Sequence, residues 1–495
     1  MTTRLYKEIR VQMLPFGLVI CSALLPGLGL PDKGLPYMFP LFALAASMMA
    51  AVAFGHEFQH RTMQNLLVQP LPRMVLWREK VLVMGGLLLV GSLCVWRSMR
   101  QIDGGRLSLD DDFFWPLVLI PLCAFCGGPL WTLLLRSNLM GVIIGILAPV
   151  ALLVIQAIVA DRLSYSPDSQ SRNAVVLLLV YCGSCFVAGF RRFRTIEALD
   201  GAPSARELGI PSWVESLLSK PSKALFGKSS GPFVALLKKE LRLQQITFLG
   251  AALFFGVALA AIALKRGRLD FNQNVGFFEM TLILIFFLFI FLMPMMTGTL
   301  AVAEEKTWGV ADWHFTLPPS AGRQWLAKML IVYSTSVVLG LVLPAMLAWF
   351  MGALPPDFLQ EELVVWIFCM HVLVVSTIVY ASVWSTSTLR SIILAIGIFI
   401  GLGCLIRLAV FVGIEYRGGV GPLIQVFAAD SRTQSNILEA IGLGSLFLLA
   451  VVFQVLAFRV FLKRALGWRQ FAAQGLILMV LVFAVGALLG LLSIR

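Results

Sequence analysis

Charge is what this sequence has least of. Only 13% of its residues are charged while 59% are hydrophobic, and the mean hydropathy is +0.89. So little charge cannot cover a water-facing surface, which excludes an ordinary soluble domain and makes lipid the solvent. The apolar–polar alternation of an outer-membrane barrel is also missing, so the spanning elements are helices, whose backbone bonds close internally. No small-x-small cleavage site follows the first apolar run, and a cleavable signal peptide is not expected. The eight cysteines all fall inside apolar runs. Two pairs, Cys123/Cys126 and Cys182/Cys185, have CxxC spacing. Metal or redox chemistry needs thiolates, which mid-bilayer burial disfavours, and the gap between the pairs fits no zinc ribbon. They read as small packing residues. Buried acid–base relays are missing as well: the candidates for ionisable groups buried within spans are few, His371, Arg407 and Glu279, and they form no relay for an ion-coupled carrier. Gly227-Lys228-Ser229 lacks the earlier glycine of a phosphate loop, because position 222 is Ser222; it is no nucleotide site.

What is present is a series of apolar runs of membrane-spanning length. They lie near 14–30, 37–54, 81–96, 113–135, 139–160 and 174–190, then 246–264, 277–303, 329–353, 363–387, 391–414, 437–462 and 472–493. The expected fold is therefore an all-α polytopic membrane protein with about 13 spans. With the N-terminus in the cytosol, 26 of the 39 Lys and Arg fall on cytosolic pieces, a positive-inside bias. That places the chain in a plasma (bacterial cytoplasmic) membrane with the C-terminus outside. The basic residues are dispersed among spans rather than clustered, so the formal charge of +13 points to lipid and not to nucleic acid.

One cytosolic segment occurs twice. His56-Glu57-Phe58-Gln59-His60-Arg61-Thr62 leads to Leu66-Leu67, Pro70, Trp77 and Lys80; Glu305-Lys306-Thr307-Trp308-Gly309 leads to Leu317-Pro318-Pro319, Trp325 and Lys328. Glu, Pro, Trp and Lys recur at one offset of 248 residues. Further pairs follow in order: Lys7-Glu8-Ile9-Arg10 with Lys239-Glu240-Leu241-Arg242, Ser137-Asn138-Leu139 with Ser387-Thr388-Leu389, and Phe190/Phe193 with Phe458/Phe461. These divide the chain into a first transmembrane half at 1–190, a cytosolic linker at 191–231, a second half at 232–462 and an appended helix at 463–495. Six spans per half return the chain to its starting side, so the repeats are parallel. The linker carries Pro203, Pro211 and Pro221 and one short amphipathic helix near 213–218. Each half opens with a basic amphipathic stretch of the kind that lies along headgroups.

These features resemble the membrane subunits of type-2 ABC exporters (ATP-binding cassette permeases), over most of 1–462. The marker is a cytosolic segment after the second span of each half, of the form Glu-x-x-x-Gly-Thr, Leu-Leu-x-x-Pro, Arg, Lys. Glu57, Thr62, Leu66, Leu67, Pro70, Arg73 and Lys80 match in the first half, and Glu305, Gly309, Pro318 and Lys328 in the second. Arg61 and Val310 depart from the pattern. The resemblance implies six spans per half, coupling of these residues to a cytosolic ABC ATPase dimer, and ATP and Mg bound by that partner. This chain then performs no covalent chemistry, holds no cofactor, and lines the path of an unknown exported substrate. Glu57 and Glu305 are expected to pair with basic residues at the membrane edge, and Trp77 and Trp325 to act as interfacial belt anchors.

His56-Glu57-Phe58-Gln59-His60 is also a literal HExxH. On a helix it sets two imidazoles on one face for zinc, with Glu as general base, so an integral-membrane zinc metalloprotease is the alternative. The second copy keeps the Glu but has Glu304 and Trp308 in place of the histidines. A position kept in both copies is better explained by a role common to both.

Overall fold

In the computed structural model, residues 2–24, 34–59, 72–102, 114–162, 167–195, 231–264, 277–307, 309, 319–350, 361–427, 431–463 and 468–492 are described. Among them the only regular structure is helical. In chain order the helices are α1 (Thr2–Leu24), α2 (Gly34–Gln59), α3 (Arg73–Ile102), α4 (Phe114–Leu135), α5 (Asn138–Arg162) and α6 (Pro167–Thr195). Then come α7 (Pro232–Leu243), α8 (Gln245–Leu264), α9 (Phe277–Leu300) and the short α10 (Ala303–Thr307). A π-helical turn at Val338–Val342 joins α11 (Ala321–Val337) to α12 (Leu343–Phe350), and the chain ends in α13 (Glu361–Trp384), α14 (Thr388–Phe427), α15 (Ser431–Lys463) and α16 (Trp468–Leu492).

Ten stretches among the described residues are long and apolar enough to cross a membrane, or eleven if α7 and α8, bent by 49°, count as one. The protein is an all-α, multi-pass membrane protein. The ten match the second to sixth and ninth to thirteenth expected runs. α1, α8 and α9 overlap the other three runs but are not among the ten. Residues 415–427 and 431–436, between the eleventh and twelfth expected runs, are helical: α14 runs to Phe427 and α15 starts at Ser431. Gly418, Gly419 and Pro422 within α14 are poor helix formers, and tertiary context overrides that weak preference. Residues 196–230 of the linker, with the short helix expected in it, lie outside the described residues.

The helices group into two compact units. The first comprises Met1–Lys228, Gln245–Ile290 and Met346–Ala353, the second Ser229–Gln244, Phe291–Ala345 and Leu354–Arg495. In the first unit α2 is the central helix. It is apolar all round, 83% of its spanning window is buried, and α1, α3, α4 and α5 surround it, as expected for a helix without a polar face. Phe42, Met48, Met49 and Phe54 from α2, with Met84 and Phe193, are among the fully buried large side chains of this unit. α8 also belongs to this unit and packs on α5. In the second unit, α13 packs on α15 and α14 on α16. Tyr380, Phe453, Ala457, Phe461, Leu478 and Val482 lie in its core.

Close helix crossings need small residues, because lipid offers no hydrophobic drive between helices. In the first unit a Cβ on Gly128 would lie 2.4 Å from that of Ala50; in the second, a Cβ on Gly298 would lie 2.7 Å from Ile378 Cγ2. Positions 50 and 298 are related by the offset of 248 residues, and 128 and 378 by the offset of 250 that relates Ser137 to Ser387. The same crossing thus occurs in both units, with the glycine on opposite partners. Replacing Gly128 by Leu should overpack this crossing at a cost of about 1–3 kcal/mol. The measurement is a lowered melting temperature in detergent, with Gly86→Leu, where a Cβ meets nothing within 4 Å, as the control.

Candidate functional site

The paired anchors of the sequence converge on two buried clusters of like composition, one in each unit. In the first, α1 supplies Lys7 and Glu8, α2 supplies Glu57, and α3 supplies Lys80. Lys80 Nζ donates to both oxygens of Glu8 at 3.0 Å, to the Ala53 carbonyl at 2.9 Å and to Glu57 Oε1 at 3.4 Å. Lys7 Nζ approaches Glu57 Oε1 at 3.2 Å from the outside. In the second, α7 supplies Lys239 and Glu240, α10 supplies Glu305, and α11 supplies Lys328. Lys328 Nζ reaches the two oxygens of Glu240 at 3.0 and 3.1 Å, the Ala301 carbonyl at 3.0 Å and Glu305 Oε1 at 2.6 Å. Lys239 Nζ bonds Glu305 at 2.7 Å and Glu240 at 3.1 Å. Even the carbonyl acceptors, Ala53 and Ala301, are related by the 248-residue offset.

Each cluster contains two ammoniums and two carboxylates, so its formal charge is zero. That neutrality is what permits burial: an unpaired ion at this depth costs several kcal/mol, and the loss is offset only when each charge finds partners. Lys80 and Lys328 direct their donors at carboxylate and carbonyl acceptors on two other elements, consistent with three N–H groups each. Their side chains are 4% and 1% exposed, whereas Lys7 is 53% exposed. The inner lysine therefore holds the cluster and the outer one trims it.

An aromatic layer backs each cluster. Trp77 packs on Phe190 and Phe193 with ring centroids 5.6 and 5.5 Å apart, and Trp325 on Phe458 and Phe461 at 5.8 and 5.2 Å. The expectation of interfacial belt anchors for these tryptophans is corrected. Both are buried in protein because a pair of phenylalanines one helical turn apart faces each indole. Phe54 adds a further ring beside Trp77 at 4.8 Å, and the Lys80 ammonium lies 5.9 Å from the Phe54 centroid. The third repeat anchor is also reproduced. Ser137 Oγ accepts from the Met140 amide and Ser387 Oγ from the Arg390 amide, each at 3.4 Å. Both serines cap the helix that follows.

The structure thus brings Glu57 together with Lys80, and Glu305 with Lys328. Arg73 starts α3 and donates to the Arg194 carbonyl. Gly309 follows α10 with φ of +70°, and its amide bonds the Lys306 carbonyl at 3.0 Å, the left-handed helix end that glycine adopts without steric cost. Thr62, Leu66, Leu67, Pro70, Pro318 and His60 lie outside the described residues. Sequence reasoning missed Glu8 and Glu240 as site residues, although they supply two of the inner lysine's contacts. The available signal was an acid at the same place in two otherwise basic helices.

The α10 end of the second segment is also tied down. Lys306 donates to the Val383 carbonyl, and Thr307 Oγ1 to the Thr386 carbonyl at 3.3 Å. Burial pushes the Glu304 carboxyl up to about 7 and the Lys306 ammonium down to about 8. Among the described residues, no group of three or more His, Cys, Asp and Glu side chains is set to hold a metal ion. Compared with protein-family models, curated proteins and solved structures, the chain gives no match.

Two outcomes follow from these partners. Lys328→Met removes the inner ammonium from the buried Glu240 and Glu305 and should cost about 3–5 kcal/mol, while Lys7→Ala, at an exposed position, should cost about 0–1 kcal/mol; melting temperatures in detergent compare them. The raised Glu304 carboxyl favours the folded state while protonated, so its contribution is full below its ordinary pKa and is lost as pH rises through about 7. Lys306 stays charged over most of that range. Glu304→Gln should therefore flatten the fall in melting temperature between about pH 5 and pH 7.5.

Proposed function

We propose that the chain is the membrane-spanning permease subunit of an ATP-driven exporter of the ABC type. In this reading two six-helix halves, 1–190 and 232–462, are joined by the linker 191–231, and 463–495 is appended. The chain sits in a bacterial cytoplasmic membrane with its N-terminus in the cytosol and its C-terminus outside. A separate cytosolic ATPase dimer binds ATP and Mg, and the chain itself is not an enzyme.

One observation carries this reading. Both cytosolic segments, 57–80 and 305–328, are closed at their base by the same buried Glu–Lys pair, and that pair is bound to the amphipathic helix opening the same half. A transporter without its own ATP site must receive mechanical work through a stiff cytosolic element. Pinching the segment at its base makes it a lever, since a push on its tip cannot be absorbed by spreading of its two ends. The ammonium then hands the displacement to three helices at once. Lys80 and Lys328 are too buried to touch a partner, so the partner meets the tip, at Leu66, Leu67, Pro70 and Pro318. Arg73 and Gly309 shape the segments next to the base, and Thr62 is assigned to coupling by the resemblance alone.

The zinc-protease reading has less support. A general base must face a metal-bound water, whereas the Glu57 carboxylate is held by Lys7 and Lys80. Lys80 has the same role as Lys328, where no histidine is present.

Purification of the chain from its native membrane distinguishes the two. A cassette ATPase should copurify with it and detach on Leu66→Asp. Lys328→Met, assayed at a temperature where it stays folded, should keep the ATPase bound but lose most of the ATP turnover that transport requires. Stoichiometric zinc and a proteolytic activity, both lost on His56→Ala, would sink the exporter.

A further inference from the structure

The two CxxC pairs are far apart in sequence but adjacent in the fold. α4 and α6 pack along each other in the first unit, and Cys123, Cys126, Cys182 and Cys185 form one buried cluster at their interface. Cys182 Sγ lies 3.7 Å from Cys123 Sγ and is also flanked by Cys126. Leu119, Leu130 and Leu178 wall the cluster, and α4 carries no charged residue along its whole length.

Packing alone does not require these thiols. By the repeat offsets, the second unit has Leu373, Ser376, Ala450 and Phe453 at the matching positions of α13 and α15. There the same interface closes without a single cysteine. The thiols are a property of one half.

We propose that Cys123 and Cys182 form a binding site for a soft monovalent d10 cation of the Cu(I) or Ag(I) class, held in line between two sulfurs. Thiolate and thiol sulfur select soft ions over hard ones. Charge decides the valence. In an apolar wall only a neutral complex is tolerated, and a monovalent cation that displaces one S–H proton leaves the site neutral, with one thiolate and one thiol as ligands. No free thiolate has to exist beforehand, which removes the objection that burial raises to thiolate chemistry. Distance decides the geometry. With the zinc–thiolate length of about 2.3 Å taken for each metal–sulfur bond, two in line span about 4.6 Å, so the pair must part by about 0.9 Å. A disulfide of about 2.05 Å would instead require the sulfurs to close by about 1.7 Å. A zinc tetrahedron needs four sulfurs directed at one point, and no three are so arranged here. Such a site binds its ion whether or not the chain moves a substrate.

The test uses the full chain in lipid nanodiscs, loaded with Cu(I) under ascorbate and challenged with a chromogenic Cu(I) chelator. The expected result is one ion retained per chain, with two sulfur neighbours by X-ray absorption. The double variant Cys123→Leu/Cys182→Ala borrows the side chains of the second unit's interface and should fold, while its Cu(I) affinity falls by about 100-fold or more. Changing Cys21, Cys94, Cys369 and Cys404 to Ser should leave retention intact. Silver should protect Cys123 and Cys182 of the wild type from a membrane-permeant alkylating reagent. The proposal is overturned by undiminished retention in the double variant, by no retention in the reduced wild type, or by zinc bound to four sulfurs.

Discussion

A lysine ammonium removed from water must be matched by acceptors on every side, and that requirement organises both units. Lys80 binds carboxylates from α1 and α2 as well as a carbonyl of α2. Lys328 does the same with α7, α10 and the Ala301 carbonyl. Hydrophobic contacts between membrane helices are exchangeable for lipid contacts and fix no register. A buried ion cannot be re-solvated by lipid, so it fixes the relative placement of three elements at once. The aromatic layer of Trp77 or Trp325 and the serine caps of the neighbouring helices are then placed around a defined point.

The two units share this frame and differ in what fills it. The small residue at the close crossing changes sides, from Gly128 against Ala50 to Gly298 against Ile378. Beside Glu305 the second unit carries Glu304, raised to about 7, where the first carries His56 beside Glu57. A thiol cluster occupies the helix interface of the first unit. The second has hydroxyls and amides nearby instead, with Tyr333 Oη 2.6 Å from Ser376 Oγ and 2.7 Å from Gln454 Nε2. The last helix, α16, packs on α14 of the second unit, and Tyr380 Oη donates to its Gln474 at 3.0 Å. In the proposed exporter the shared frame transmits force, and the differing fillings give the two halves unlike surroundings.

Much of this is legible in the amino-acid sequence. Composition requires lipid as the solvent, and the absence of strand alternation makes the spanning elements helices. Recurrence of Glu, Trp and Lys at one offset identifies Glu57, Lys80, Glu305 and Lys328, and the shifted offsets of the other anchors identify the elements that meet them. The residues whose roles the sequence conceals share one feature: their meaning depends on a neighbour distant in the chain. Trp77 and Trp325 resemble interfacial anchors because an indole near a span end usually is one, and only their phenylalanine partners show otherwise. The cysteine pairs resemble packing residues when each helix is considered alone. Glu8 and Glu240 are repeat markers without a role until their partner, 72 or 88 residues away, is placed beside them.

The sequence by itself determined the solvent, the helical class, the rough placement of spans and the residues that recur. Those follow from hydropathy and period, which are local properties of the chain. Tertiary structure alone decided that the recurring acids and lysines share one buried point in each unit, that four thiols meet between two helices, and that α8 packs with the first unit. These are pairings across long sequence separations. They are set by which buried charge can be neutralised and which surfaces can approach closely, and no single stretch of sequence contains both sides of that choice.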